Sequence, residues 1–175
     1  MYRLSNPLIW LCRFRHRCGY GVHSPYAFHF ITDVIYEKTP YYAYKELDKD
    51  LTRTDRFRVR KILHLLLRVS NWRQPNVISS LTTSKDVNRY LVAGCRKAKI
   101  INSIPEGQID ICWLDEPNNE VITHLNEQSM LLLDHLDKNK DWFQKLPSVV
   151  SFDLYDIGIA FFDTKYNKQH YIVNF

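Results

Sequence analysis

The chain has 175 residues and a mass of 20.9 kDa, with 45% hydrophobic, 14% aromatic and 25% charged residues. This length predicts one structural domain with a sizeable core. The aromatic content excludes a disordered chain, because burying aromatic side chains offsets the entropy lost on folding. No apolar run approaches the roughly 20 residues that cross a bilayer, and the short apolar run 7–12 precedes arginines rather than a signal-peptide cleavage site. We therefore expect a cytoplasmic protein.

The net charge of +5 is distributed unevenly. Residues 1–75 contain 14 Lys and Arg against 6 Asp and Glu, whereas residues 76–175 contain 10 against 13. The densest basic cluster consists of Arg13, Arg15 and Arg17. Basic clusters attract phosphate-rich partners, so binding to nucleic acid or another anionic surface is one hypothesis. The alternative is a solvated face, or a patch that docks on the acidic part of the chain.

The four cysteines form no CxxC pair, and no second pair of ligands is spaced for zinc. We therefore expect no metal site and a reducing compartment. The four are Cys12, Cys18, Cys95 and Cys112.

Residues 1–75 have helical patterns, and we expect them to form a basic helical extension. A first short helix is predicted from about Pro7, and a second begins at Ser24 and Pro25, an N-cap followed by a first-turn proline. Tyr41–Lys49 is a third candidate, and the strongest helix runs from Asp55 to about Ser70. Its predicted apolar face consists of Val59, Ile62, Leu63, Leu66 and Val69.

The pattern changes from residue 76, where short apolar runs alternate with helical segments. We expect strands at 77–81, 99–103, 109–115 and 130–134, with helices at 83–95, 119–127 and 141–146. Ser84 is a candidate N-cap of the first of these helices, and the alternative is that Thr82, Thr83 and Ser84 hold an anion. Segments 149–162 and 170–175 are separated by a polar turn, which predicts an antiparallel hairpin. Residues 76–175 are thus predicted to be an α/β core with a mostly parallel sheet, on which residues 1–75 pack.

Several predicted strands end in polar residues, and in a doubly wound sheet the functional crevice lies at the carboxyl ends of the strands. Asp134 and His135 follow one strand and Asp115 ends another, so these three are candidates for acid/base work. The alternative is that they are polar loop residues at the edge of the sheet.

The ends of the chain resemble a bacterial family of methyltransferase-like proteins. Residues 20–28, Tyr-Gly-Val-His-Ser-Pro-Tyr-Ala-Phe, look like that family's opening motif, and 149–162 with 168–175 resemble its terminal hairpin. Together they cover about a third of the chain. The order of elements is similar to that of class I S-adenosylmethionine-dependent methyltransferases. The resemblance implies a Rossmann-like sheet and a cofactor site after the first strands, with His23, Tyr41 and Tyr42 as candidates for substrate contact. Local capping by His23 and aromatic packing of the tyrosines are the alternatives.

The middle of the chain departs from that pattern. The loop after the first strand has no glycine, although the family's backbone turns tightly there to approach the cofactor. The second strand ends in Asn102 and Ser103, where the family has a carboxylate for the ribose. A third strand and its helix are missing, which predicts a reduced number of strands. The polar residues left to hold S-adenosylmethionine are Ser79, Ser80, Thr82, Thr83, Ser84, Asn102 and Ser103.

These departures favour a shortened methyltransferase-like protein, a pseudoenzyme that binds S-adenosylmethionine weakly or not at all. It would act as an interaction or regulatory module with a protein partner or a second copy of the chain. An active methyltransferase with a degenerate loop is the second hypothesis. A module that binds nucleic acid or another anionic surface through Arg13, Arg15, Arg17 and the basic stretch 53–61 is the third.

Overall fold

The computed structural model describes residues 11–51 and 56–175, with side chains described from residue 58 in the second range. These residues separate into two compact units that interleave along the chain. The first contains the described residues up to Gln74, together with Ser84–Arg96 and Asn174–Phe175. The second contains Pro75–Thr83 and Lys97–Val173. The helix predicted from Pro7 lies mostly outside the described residues.

The first unit is helical. Its helices are α1 (Pro25–Phe30), continued by a π-helical turn (Ile31–Ile35), then α2 (Tyr42–Leu47), a 3₁₀ turn (Asp48–Asp50), α3 (Arg56–Arg73) and α4 (Lys85–Gly94). A short 3₁₀ turn (Phe14–His16) precedes them. The Ser24 hydroxyl accepts the Ala27 N–H at the start of α1, and Ser84 does the same for Val87 in α4. Both predicted helix starts are confirmed.

Helix α3 is buried over more of its surface than an amphipathic pattern predicts. The expected face included Leu63 and Leu66, but Leu65 and Leu67 are also at most 1% exposed. Even Arg68 is only 7% exposed, and its guanidinium donates to the Val34 and Ile35 carbonyls at 2.7 and 3.1 Å. Those carbonyls end the π-helical turn, so Arg68 satisfies backbone acceptors that have no helical partner.

The second unit is built on a sheet of seven strands in the order β2-β1-β3-β4-β6-β5-β7. The strands are β1 (Val77–Leu81), β2 (Lys99–Ile101), β3 (Ile111–Leu114), β4 (Met130–Leu133), β5 (Val150–Asp153), β6 (Gly158–Phe161) and β7 (Gln169–Ile172). Strands β2, β1, β3 and β4 are parallel, whereas β6 runs antiparallel to both β4 and β5. The structure therefore confirms the predicted α/β class and the mostly parallel sheet with antiparallel strands near the C-terminus.

The predicted pairing of the terminal hairpin, between segments 149–162 and 170–175, is wrong. Segment 149–162 folds back on itself at Leu154, whose N–H donates to the Ile157 carbonyl at 2.9 Å, and so supplies both β5 and β6. Strand β7 then pairs with β5 in parallel. It cannot pair with β6, because β4 already occupies the other side of that strand. The sheet consequently has seven strands rather than the reduced number that the sequence predicts.

Two helices complete the second unit: α5 (Asn119–Ile122), shorter than predicted, and α6 (Leu136–Gln144), which begins five residues earlier than predicted. The Asn118 side chain accepts the Glu120 N–H at 2.9 Å and starts α5. Both helices contribute to an apolar core of almost completely buried side chains: Ile109, Cys112, Leu114, Val121, Leu131, Leu133, Leu136, Phe143, Leu146, Ala160 and Phe162. Within the described part of the chain, no helix has the length and hydropathy of a membrane span.

Candidate functional site

The strand order places a topological switch point between β1 and β3. From β1 the chain proceeds to β2 on one side, and the next strand, β3, is added on the other side of β1. All three are parallel, so their carboxyl ends meet at one edge. Loops that leave neighbouring strands in opposite directions open a crevice there, and this is where such sheets bind ligands. The candidate site is therefore the edge that follows Leu81 and Leu114.

A hydrogen bond between side chains spans this switch point. Thr82, just after β1, donates its hydroxyl to Asp115 Oδ2, just after β3, at 2.6 Å. The other carboxylate oxygen of Asp115 accepts the indole N–H of Trp113 at 2.8 Å. Trp113 is completely buried. Both oxygens of Asp115 are thus held by donors from the protein itself, which fixes the orientation of the carboxylate.

A second bond joins the ends of β1 and β2. The Ser79 hydroxyl donates to the Ser103 carbonyl at 2.9 Å. Ser79 and Ser80 have no exposed surface, whereas Asn102 and Ser103 are exposed. The two predicted cofactor residues on β1 therefore lie beneath the edge, and only the residues after β2 face solvent.

The remaining loop residues divide between the two units. Thr83 is exposed and belongs to the second unit, whereas Ser84 belongs to the first, where its hydroxyl caps α4. The helix-cap interpretation thus accounts for the Ser84 side chain.

Asp134 and His135 form a close pair at the end of β4. Asp134 Oδ1 accepts the backbone N–H of His135 at 2.7 Å, and its Oδ2 lies 3.9 Å from His135 Nε2. Asp134 is buried, whereas 31% of the His135 side chain is exposed. His135 has a left-handed backbone, with φ of 50°, which is uncommon for a residue with a side chain. The carboxylate is thus close enough to the imidazole for an electrostatic interaction, at a separation longer than a hydrogen bond.

The same edge holds an ion pair between Asp153, which the sequence predicts to be structural, and Lys140. Asp153 ends β5, its side chain is 2% exposed, and its Oδ2 lies 3.1 Å from Lys140 Nζ. Its other oxygen accepts the Tyr155 N–H at 2.8 Å. An aspartate at the end of an apolar strand was the available signal. Over the described ranges, no three His, Cys, Asp or Glu side chains are grouped to hold a metal ion.

The predicted substrate residues all lie in the first unit. His23 is exposed, and Tyr42 is 99% exposed. Tyr41 donates to Glu37 Oε2 at 2.9 Å and packs against the Tyr44 ring at 5.4 Å between centroids. Burial, reinforced by the Glu37 carboxylate, raises the pKa of Tyr41 to about 12. Tyr41 is therefore engaged in local packing, while Tyr42 faces solvent.

Sequence reasoning missed a polar cluster in the first unit, centred on Asp48. Asp48 Oδ1 accepts from His64 Nε2 at 2.9 Å and from the Tyr90 hydroxyl at 2.5 Å. Arg60 Nε lies 3.1 Å from Oδ2, a charge contact whose N–H geometry makes no hydrogen bond. The Tyr44 ring stacks on the His64 imidazole with centroids 3.6 Å apart. The signal in the sequence was His64, because a polar residue that interrupts the apolar run 62–67 needs a hydrogen-bond partner.

The cluster shifts the ionisation of its members. Burial would raise the pKa of Asp48, but the hydrogen bonds from Tyr90 and His64 outweigh it and lower that pKa. Burial lowers the pKa of His64 despite the nearby Asp48 carboxylate. Burial and the bond to Asp48 raise the pKa of Tyr90. At neutral pH the cluster therefore contains an ionised Asp48, a neutral His64 and a neutral Tyr90.

The basic residues of the third hypothesis lie on the surface of the first unit. Arg13 and Arg17 flank the 3₁₀ turn that contains Arg15, and all three are exposed except for partial burial of Arg13. Arg53 lies outside the described residues. Arg58 donates to the Phe175 carbonyl at 2.8 Å.

Comparison of the chain with protein-family models, with curated proteins and with solved structures finds no match.

Proposed function

We propose that the chain is a methyltransferase-type α/β protein whose cofactor edge has closed, so that it acts as an interaction or regulatory module. Four parallel strands followed by a reversed strand support this proposal, because the resemblance at the ends of the chain implies a sheet of that kind.

The bond between Thr82 and Asp115 is the observation that carries the proposal. It crosses the switch point at 2.6 Å, where a cofactor would have to lie. A ligand in the crevice must break this bond and replace both partners, because a buried or half-buried acceptor left unsatisfied costs about 1–3 kcal/mol. The Ser79–Ser103 bond closes the neighbouring position in the same way.

The chemistry of the edge also disfavours the cofactor. A ribose is held best by a carboxylate, which accepts hydrogen bonds from both hydroxyls. The residue after β2 is Asn102, whose neutral amide makes weaker bonds. The loop after β1 has a side chain at every position from Leu81 to Asp86, so the backbone cannot approach a ligand as a glycine loop does.

The test is calorimetric titration of the full chain with S-adenosylmethionine and S-adenosylhomocysteine, combined with thermal melting. We expect no saturable heat and no rise in melting temperature at millimolar ligand. A ligand present at about 100 times its dissociation constant stabilises the folded state by about 2.7 kcal/mol, which melting would detect. Saturable binding in the micromolar range would overturn the proposal.

The contribution of the Thr82–Asp115 hydrogen bond to stability can be tested by substitution. Thr82→Val keeps the shape of the side chain and removes its donor, so we expect a loss of about 1.5–3 kcal/mol, as for hydrogen bonds to charged groups. Thr123→Val is the matched control, because the exposed Thr123 hydroxyl donates to the Glu120 carbonyl at the end of α5, a local bond between neutral groups. Equal effects of the two substitutions would mean that the Thr82–Asp115 bond does not hold the edge closed.

The Asp134–His135 pair favours a second candidate, an active methyltransferase. In that case residues 79–84 and 102–103 hold S-adenosylmethionine, while Asp115, Asp134 and His135 face the methyl acceptor. The same titration decides between the two, and binding and turnover that both survive Ser80→Trp or Asp115→Ala would exclude these site residues.

As a module, the chain requires a partner protein or a second copy of itself. Strand β7 is outermost in the sheet, and Ile172 on it is 37% exposed. Edge strands are the usual place for a second chain to add. Light scattering across a concentration series would show whether the chain self-associates.

A further inference from the structure

The first 32 residues combine positive charge with aromatic rings and have no acidic residue. They contain four arginines and seven aromatic residues, and the first carboxylate in the chain is Asp33. Aromatic rings interleaved with arginines are typical of surfaces that hold single-stranded nucleic acid, whose bases stack and whose phosphates attract cations. The described part of this stretch, from Leu11 onward, shows how these groups are arranged.

Residues 14–22 form a turn that is stabilised by backbone hydrogen bonds and by packing. After the 3₁₀ turn, Cys18, Gly19 and Gly21 have left-handed backbones, with φ of 50°, 76° and 77°. Tyr20 and Val22 donate N–H groups to carbonyls three residues earlier, each at 3.0 Å. A Cβ on Gly19 would lie 2.9 Å from the Phe28 ring, so the turn packs closely against α1.

The turn is also fixed from the other end of the first unit. The Asn174 N–H donates to the His16 carbonyl at 2.9 Å, and the Tyr36 hydroxyl donates to the Asn174 carbonyl. The backbone of this segment is therefore held in place by hydrogen bonds, and its side chains project from fixed positions. A binding surface built on such a segment loses little conformational entropy when a ligand binds.

This segment lines an open cleft of about 800 Å³. Its described lining residues are Phe14, Arg15, Arg17, Cys18 and Tyr20. Tyr20 is 82% exposed and Phe14 is 51% exposed, and the Arg17 guanidinium lies over the Phe14 ring at 5.5 Å. Within the described residues, no carboxylate lies at ion-pair distance from Arg15. Rings and guanidinium groups thus share one concave surface.

We propose that this cleft binds single-stranded nucleic acid. Bases stack on the exposed ring of Tyr20 and on Phe14, while Arg15 and Arg17 contact the flanking phosphates. A cleft suits an unpaired base better than it suits an anionic membrane, since a membrane-binding surface is the protruding apolar face of an amphipathic helix. The proposal is independent of the methyltransferase-type function, because no residue of the switch point takes part.

The test is fluorescence anisotropy of the full chain with fluorescein-labelled oligouridylate and oligothymidylate of about twelve nucleotides. We expect saturable binding that weakens steeply between about 50 and 200 mM KCl, because counterions are released from the phosphates. Tyr20→Ala should weaken binding at least about fivefold, whereas Tyr20→Phe, which keeps the stacking ring, should bind like the natural chain. Arg15→Gln should weaken binding and reduce the slope of log affinity against log salt by about 0.7.

Arg96→Gln is the matched control, since Arg96 is an exposed arginine of the same unit outside the cleft. It should leave both the affinity and the salt slope nearly unchanged. Circular dichroism of each variant confirms that the fold is retained. The proposal is overturned if the oligonucleotides do not bind, if Arg96→Gln equals Arg15→Gln, or if Tyr20→Ala and Tyr20→Phe behave alike. Tighter binding to vesicles of anionic lipid than to the oligonucleotides would also overturn it.

Discussion

The phenol of Tyr90 in α4 donates a hydrogen bond of 2.5 Å to the carboxylate of Asp48, which lies 42 residues earlier in the chain. Tyr90 has no exposed surface, and its hydroxyl is one of two donors on the same oxygen of Asp48. This bond links the 3₁₀ turn after α2 to α4. The cluster around Asp48 therefore contributes to holding the helices of the first unit together.

Tyr90→Phe should destabilise the protein by about 2 kcal/mol, because it removes a hydrogen bond to a charged acceptor without changing the shape of the ring. Urea denaturation followed by circular dichroism gives the difference. Tyr42→Phe removes an equivalent hydroxyl from a side chain that is 99% exposed, and it should have no measurable effect. If both variants unfold at the same urea concentration, the bond to Asp48 contributes nothing.

His64 should make the protein less stable in mild acid. Because the pKa of His64 is lowered in the folded state, the unfolded state binds its proton first, and stability falls as the pH drops below the ordinary value of 6.5. The pKa of Asp48 is also lowered, so the stability it contributes is present above pH 3.8 and is lost below it.

The measurement is the free energy of unfolding at several pH values between about 5 and 8. His64→Gln keeps a donor for Asp48 but cannot titrate, so its stability should vary less with pH over this range. His124→Gln serves as the control for replacing a histidine, because His124 lies in the second unit, outside the Asp48 cluster. A His64→Gln profile as steep as the natural one would contradict this assignment.

Gly94 is a position where α4 approaches α3 closely. A Cβ there would lie 2.3 Å from the Leu67 carbonyl oxygen and 2.7 Å from Ser70 Cβ. Gly94→Ala should therefore force the helices apart and cost at least about 2 kcal/mol, as overpacking does. Gly107→Ala, where nothing lies within 4 Å, should be neutral or slightly stabilising. Thermal melting of both variants gives the comparison, and equal melting temperatures would be inconsistent with the close approach.

The cysteines should react in two classes. Cys12 and Cys18 are exposed, whereas Cys95 and Cys112 are buried. Burial raises the pKa of the Cys112 thiol to about 12, so its reactive thiolate is scarce at neutral pH. We expect a thiol reagent to modify two cysteines rapidly in the folded protein and all four in denaturant. Peptide mapping identifies the modified residues, and rapid labelling of Cys112 in the native state would be the contrary result.

The sequence predicted those features of the fold that depend only on residues close together in the chain, such as helix caps. Ser24 and Ser84 cap their helices because a hydroxyl needs only the N–H groups three residues ahead. Strand β7 was paired incorrectly because an alternating pattern does not specify which strand lies beside it. The Asp48 cluster could not be predicted, since Asp48, His64 and Tyr90 lie on three elements that only tertiary packing brings together.

Because the two units interleave along the chain, the protein cannot be divided simply into two fragments. The chain passes from one unit to the other four times, after residues 74, 83, 96 and 173. No single backbone cut yields two fragments that each contain one complete unit. A fragment covering residues 75–175 would retain α4 without α3, the helix against which Gly94 packs, and would expose the apolar surface between them. Neither unit is therefore encoded by one continuous stretch of the described chain.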